Sequence, residues 1–117
     1  MKEADIISEL IENFDWIKRN GIRPDPKYLY NQVEQKAHRS GNLVKTYCSG
    51  KPSLKDIEER SLDLFSQARA HADQFSKPEN GWDKNTFSNP SFDQSRFTTP
   101  LYNGLEYFLE SIGEMPS

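Results

Sequence analysis

Between residues 53 and 75, apolar and small side chains recur at intervals of three and four: Leu54, Ile57, Ser61, Leu64, Phe65, Ala68, Ala72 and Phe75. Only an α-helix, at about 3.6 residues per turn, gathers such positions on one face. That stripe has to be covered, so the rest of the chain must supply partners for it. Ser53 with Asp56 three residues later resembles a capping box, with Asp in place of the preferred Glu. Pro78 closes the region.

Three further helices answer that need. Ile7, Leu10, Ile11, Phe14 and Ile17 predict a helix over 4–20, with acids in its first turns and Lys18 and Arg19 in its last. Asp25 as cap and Pro26 as first residue open a second helix over 26–39, with Gly41 as its terminator. Its apolar face is short: Leu29, Val33 and Ala37, widened by Tyr28 or Tyr30. Residues 42–49 mix helix and strand preferences, and with no mate for a lone strand a turn or two of helix is expected there. Leu101, Leu105, Phe108, Leu109 and Ile112 predict a last helix over 100–112, with Pro100 in its first turn and Gly113 at its end. The expected fold class is all-α: an irregular bundle of about four helices forming a single domain over residues 1–117.

Residues 76–99 are polar and rich in Asn, Ser and Pro, and are long for a structureless connection. Aromatics nevertheless fall every five residues: Trp82, Phe87, Phe92, Phe97, Tyr102 and Tyr107. Large or rigid residues two before most of these rings (Asn80, Asn85, Pro90, Pro100, Leu105) do not suit a pentapeptide-repeat coil. An extended arm packed across the bundle is expected, its rings plugged between helices at about 2–3 kcal/mol each. Trp82 and Phe87 are also candidate anchors for a partner.

The core is thin. Apolar residues make up 34% of 117, below the usual ~45–50% even after glycine is counted. A partner or a second copy of the chain would complete such a core. Charge is segregated, with a local balance of −4 over residues 1–17, +7 over 18–55 and −6 over 56–117. The basic middle predicts docking on an acidic surface through Lys36, Arg39, Lys45, Tyr47 and Lys51. The alternative is a nucleic-acid-binding regulator using residues 36–51, where cations meet phosphates and Tyr47 stacks on a base. Ala37-x-x-x-Gly41 has the spacing of a helix-turn-helix turn, but Asn42 stands where an apolar residue should pack.

Catalytic and metal motifs are not expected. Ser49-Gly50-Lys51-Pro52-Ser53 lacks the first glycine of a phosphate-binding loop, since Lys45 holds that place. Glu59, Asp63, Gln67 and His71 step by four and rotate apart around the helix, so no metal is assigned to them. Cys48, His38 and His71 form no recognisable nucleophile-and-base pattern. No cofactor is implied. A single cysteine excludes an internal disulfide and fits a cytoplasmic setting. No membrane-spanning run or signal peptide is expected. These readings converge on a non-catalytic protein-binding factor (a small adaptor, inhibitor or immunity-type protein) that docks on a larger partner, with a homodimer also compatible.

Overall fold

The apolar stripes become the buried faces of an all-α bundle. The structure, a computed structural model, describes residues 2–21 and 30–115. Helix α1 (Glu3–Trp16) runs into a π turn (Ile17–Gly21). Then come α2 (Tyr30–Cys48), a 3-10 turn (Pro52–Leu54), α3 (Lys55–Asp73), a short α4 (Lys84–Ser88) and α5 (Gln94–Ser111). Helices α3 and α5 form the principal pair; α2 lies against α3, and α1 packs on α2 and α5. The expected cap and proline start of the second helix, Asp25 and Pro26, lie outside the described residues.

The line of burial on α1 runs through Ile6, Leu10, Phe14 and on to Ile17. Ile7 and Ile11, placed on the inner stripe by spacing, are only half-buried. The π turn follows the last apolar contact. Asn20 Nδ2 and Arg19 Nε donate to the carbonyls of Trp16 and Asp15, which satisfies acceptors that a helix end leaves open.

Helix α2 does not stop at Gly41. It continues to Cys48, taking in the segment of mixed preference. Leu43, Val44 and Cys48 extend the buried face of Val33 and Ala37, and that burial outweighs the ~1 kcal/mol helix penalty of one glycine. A Cβ built on Gly41 meets nothing within 4 Å. Gly41→Ala is therefore expected to stabilise the protein by about 0.5–1 kcal/mol, read as a rise in the urea midpoint with unchanged slope.

The Ser53–Asp56 capping box does not form. Helix α3 begins after the 3-10 turn, with Leu54 at its cap position and no side-chain cap. Helix α5 starts six residues before the expected 100, at Gln94, because Asp93 caps it by accepting the Ser95 N–H. Pro100 thus sits inside α5 and costs it one backbone hydrogen bond. Phe97, Leu101, Leu105 and Phe108 all lie on its buried stripe. Gly113, at φ +76°, ends the helix with the Glu114 N–H donating to the Leu109 carbonyl at 2.8 Å, a Schellman-type stop.

Helices α3 and α5 touch at Gly104, where an added Cβ would lie 2.6 Å from a ring carbon of Phe65. Ser61, Ala68 and Ala72 on α3 are fully buried and small. Among the described residues the Ser61 hydroxyl has no hydrogen-bond partner, a cost that close helix contact has to exceed.

Candidate functional site

The basic residues of α2 do not converge. Arg39 faces α1 and grips Glu9 with two nitrogens, Nε to Oε2 at 2.6 Å and Nη2 to Oε1 at 3.2 Å. Arg39 thereby holds the Glu9 carboxyl below the usual carboxylate range, while its own guanidinium is held more firmly protonated. Lys36, on the same flank, places its ammonium 5.3 Å from the centre of the Trp16 ring. Lys51 pairs with Glu3, donates to the Tyr47 carbonyl at 2.8 Å and lies 3.9 Å over the Tyr47 ring. Lys45 is exposed. Six residues beyond Arg39, it is rotated about 120° away on the helix.

Among the described residues, the acidic first segment and the basic middle thus meet in two ion pairs, Glu9–Arg39 and Glu3–Lys51. Acids of α1 neutralise bases at two points on α2 and just beyond it. The expected continuous cationic face is replaced by this seam. Helix α2 also runs straight through Gly41, so the bend of a helix-turn-helix is absent.

Trp82 and Phe87, expected as partner anchors, are interior at 3% and 8% exposure. The first four rings of the five-residue period form a cluster, whereas Tyr102 stacks on Phe14 and Tyr107 lies by Arg60. Trp82 and Phe97 meet edge-to-face with centroids 5.2 Å apart, as do Phe87 and Phe92 at 5.2 Å; such contacts add to area burial. The arm is not extended: Asp83 caps α4 in a capping box with Thr86. Three polar pins fasten it. Glu34 of α2 accepts the Trp82 backbone N–H at 2.7 Å, Asp73 of α3 accepts the indole N–H at 2.6 Å, and His71 Nε2 accepts the Asp93 N–H at 2.9 Å. Spacing gave no sign of Glu34 or Asp73, since both pins join residues on different elements or across a turn.

The potential nucleophile and bases are engaged in the scaffold. Cys48 is buried, and burial, with a smaller push from the Glu58 carboxylate, raises its thiol to about 11 despite Lys51 nearby. His38 packs against the Trp82 ring at 5.2 Å. His71 is buried while Glu59 and Asp63 of the same helix are exposed, as four-residue steps require. Among the described residues no group of three His, Cys, Asp or Glu side chains is placed to hold a metal ion.

The Cys48 thiol should therefore react slowly. Relative to an ordinary thiol at 9.0, a rise to about 11 lowers the thiolate fraction near neutral pH roughly a hundredfold. Alkylation at about pH 8 is expected to be at least that much slower in the folded protein than in urea. A raised thiol contributes stability below the ordinary value and loses it as pH climbs toward about 11. Cys48→Ala should flatten that alkaline decline in urea titrations.

Two grooves remain. One, about 530 Å³, lies between α1 and α2 and is lined by Glu9, Glu12, Asn13, Gln35, Lys36 and Arg39, with Asn42. Its lining mixes both signs, and the buried Asn13 side chain is tied to Ser40. The other, about 500 Å³, is a trough lined by Ala4, Ile7, Ser8, Ile11 and Tyr47 and edged by Glu3 and Glu114. The adjacent pairs Ile6–Ile7 and Leu10–Ile11 carry its signal in the sequence: a helix with two parallel apolar lines covers more than one neighbour needs.

The chain matches none of the protein-family models, curated proteins or solved structures with which it was compared. No helix among the described residues is long and apolar enough to cross a membrane.

Proposed function

We propose that the protein is a non-catalytic factor of the adaptor, inhibitor or immunity type that binds a larger protein, in a cytoplasmic setting. The observation that carries this reading is the trough of Ala4, Ile7, Ile11 and Tyr47. Its half-buried Ile7 and Ile11 side chains lie beside Glu3, Ser8 and Glu114, and apolar side chains set among polar ones are common in protein-docking surfaces. A shallow trough of this kind suits one or two apolar side chains of a partner and offers no arrangement for bond chemistry. The acidic-partner version of the proposal is weakened by the seam, because Arg39 and Lys51 are already engaged with Glu9 and Glu3.

The test is quantitative affinity enrichment with the wild type, Ile7→Arg and a Lys36/Arg39/Lys45 alanine triple variant, each first shown to be folded by circular dichroism. The reading expects a protein retained by the wild type and the triple variant and lost with Ile7→Arg. Recovery that is unchanged in Ile7→Arg, or no saturable partner at all, overturns it. Salt-sensitive nucleic-acid binding that disappears in the triple variant would favour the regulator reading instead.

A further inference from the structure

His71 of α3 is 7% exposed and lies between the rings of Phe75 and Phe92, with centroids at 5.4 and 5.1 Å. Its Nε2 accepts the backbone N–H of Asp93 at 2.9 Å. An imidazole nitrogen accepts only while it keeps its lone pair. With both ring nitrogens protonated, N–H would face N–H and the bond would be lost.

We propose that the arm is an acid-released strap: neutral His71 fastens the Asp93 end of residues 74–93 to α3, and protonation of His71 frees that end. The charged neighbours do not offer the imidazolium a ready partner. On α3, Gln67 and Gln74 are neutral, and Asp73 is engaged by the Trp82 indole. From α5, Arg96 lines the same groove and opposes a second positive charge. The Asp93 carboxylate turns toward the start of α5, where its Oδ1 accepts both the N–H and the O–H of Ser95 at 3.0 and 2.7 Å. Phe92 and Pro100 complete the surroundings without charge.

Of the three pins, this one alone has an imidazole as its acceptor. The Glu34 and Asp73 pins are carboxylates, a class that stays ionised down to about pH 4. Histidine is the side chain class that changes charge between about pH 5 and 8. The open strap carries one more proton than the closed one, so acid favours opening. Opening frees the Asp93 end and the Phe92 ring beside His71, while the Glu34 and Asp73 pins keep Trp82 in place. None of this depends on what occupies the α1 trough.

The test uses the full chain with Trp16→Phe, which leaves Trp82 as its only indole. Amide exchange, corrected for the intrinsic effect of pH, and indole emission are compared at about pH 7.5 and 5.2. Loss of one buried hydrogen bond predicts that the Asp93 amide exchanges about tenfold faster at the lower pH, relative to α3 core amides. Trp82 emission should stay unchanged, because its two carboxylate pins hold. His71→Gln, which keeps an acceptor oxygen but takes up no proton, should abolish the response. His38→Gln, altered at the ring that also touches Trp82, should retain it. No response in the wild type, an undiminished response in His71→Gln, or its loss in His38→Gln overturns the strap. Should His71→Gln fail to fold, nitrogen NMR of the wild-type ring decides: two protonated nitrogens with the Asp93 amide still protected at about pH 5.2 overturns it, and loss of that protection as Nε2 gains its proton supports it.

Discussion

Trp82→Ala is expected to cost about 3–5 kcal/mol, the range for removing a large buried aromatic side chain. Three effects act together. The indole is 3% exposed and meets Phe87, Phe97 and His38, so its loss opens a cavity lined by rings. Asp73 loses the indole N–H that it accepts at 2.6 Å. The arm loses the ring that holds it on α2 and α3. For a domain of this size the melting midpoint should fall by about 12 °C or more. Trp82→Phe keeps part of the apolar volume but not the N–H donor, and should fall between wild type and alanine. A midpoint for Trp82→Ala within ~1 kcal/mol of wild type would mean that the arm contributes little to the fold.

Gly104→Ala is expected to destabilise although it replaces glycine in mid-helix. Helix preference favours alanine by about 1 kcal/mol. The added methyl, however, would lie 2.6 and 2.8 Å from two ring carbons of Phe65 and 3.3 Å from Leu64 Cβ. Phe65 is 1% exposed, so its ring has no free space to enter. Overpacking of a tight core costs about 1–3 kcal/mol, and a net loss of about 1–2 kcal/mol is expected. Gly41→Ala, chemically identical but facing open space, should move the urea midpoint the opposite way. Shrinking the ring in a Gly104→Ala/Phe65→Leu double variant should recover part of the loss beyond the sum of the single effects.

These two glycines show why the fold was only partly legible in the sequence. Periodicity located α3, the inner face of α5 and part of that of α1, where Ile6 is buried and Ile7 and Ile11 are only half-buried. It fails at α2 because Gly41 points to a stop. A glycine stops a helix when the chain beyond has nothing to bury, and here Leu43, Val44 and Cys48 are buried beyond it. It fails at α5 because Pro100 points to a first turn, while Asp93 and Phe97 already supply a cap and an apolar contact further back. Both errors come from weighing local preference above tertiary burial.

The candidate site was less legible for a related reason. Net charges of −4, +7 and −6 along the chain say nothing about which side chains will lie next to one another. Glu9 and Arg39 are thirty residues apart, and only the packing of α1 on α2 makes them a pair. Exposed pairs of this kind contribute little to stability, yet this one partly neutralises Arg39 where it remains at the surface. Trp82 and Phe87 had two fates open in the sequence, core or interface. The pins from Glu34, Asp73 and His71, invisible in any spacing, assign both rings to the core of the closed form.

The account depends most on the arm being clamped as a ring cluster against α2 and α3. Nuclear Overhauser contacts from the Trp82 indole at neutral pH test this directly. Cross-peaks to the rings of Phe97 and His38, whose centres lie 5.2 Å away, are expected together with a protected indole N–H. An indole N–H that exchanges freely, with no contact to either ring, would contradict the account.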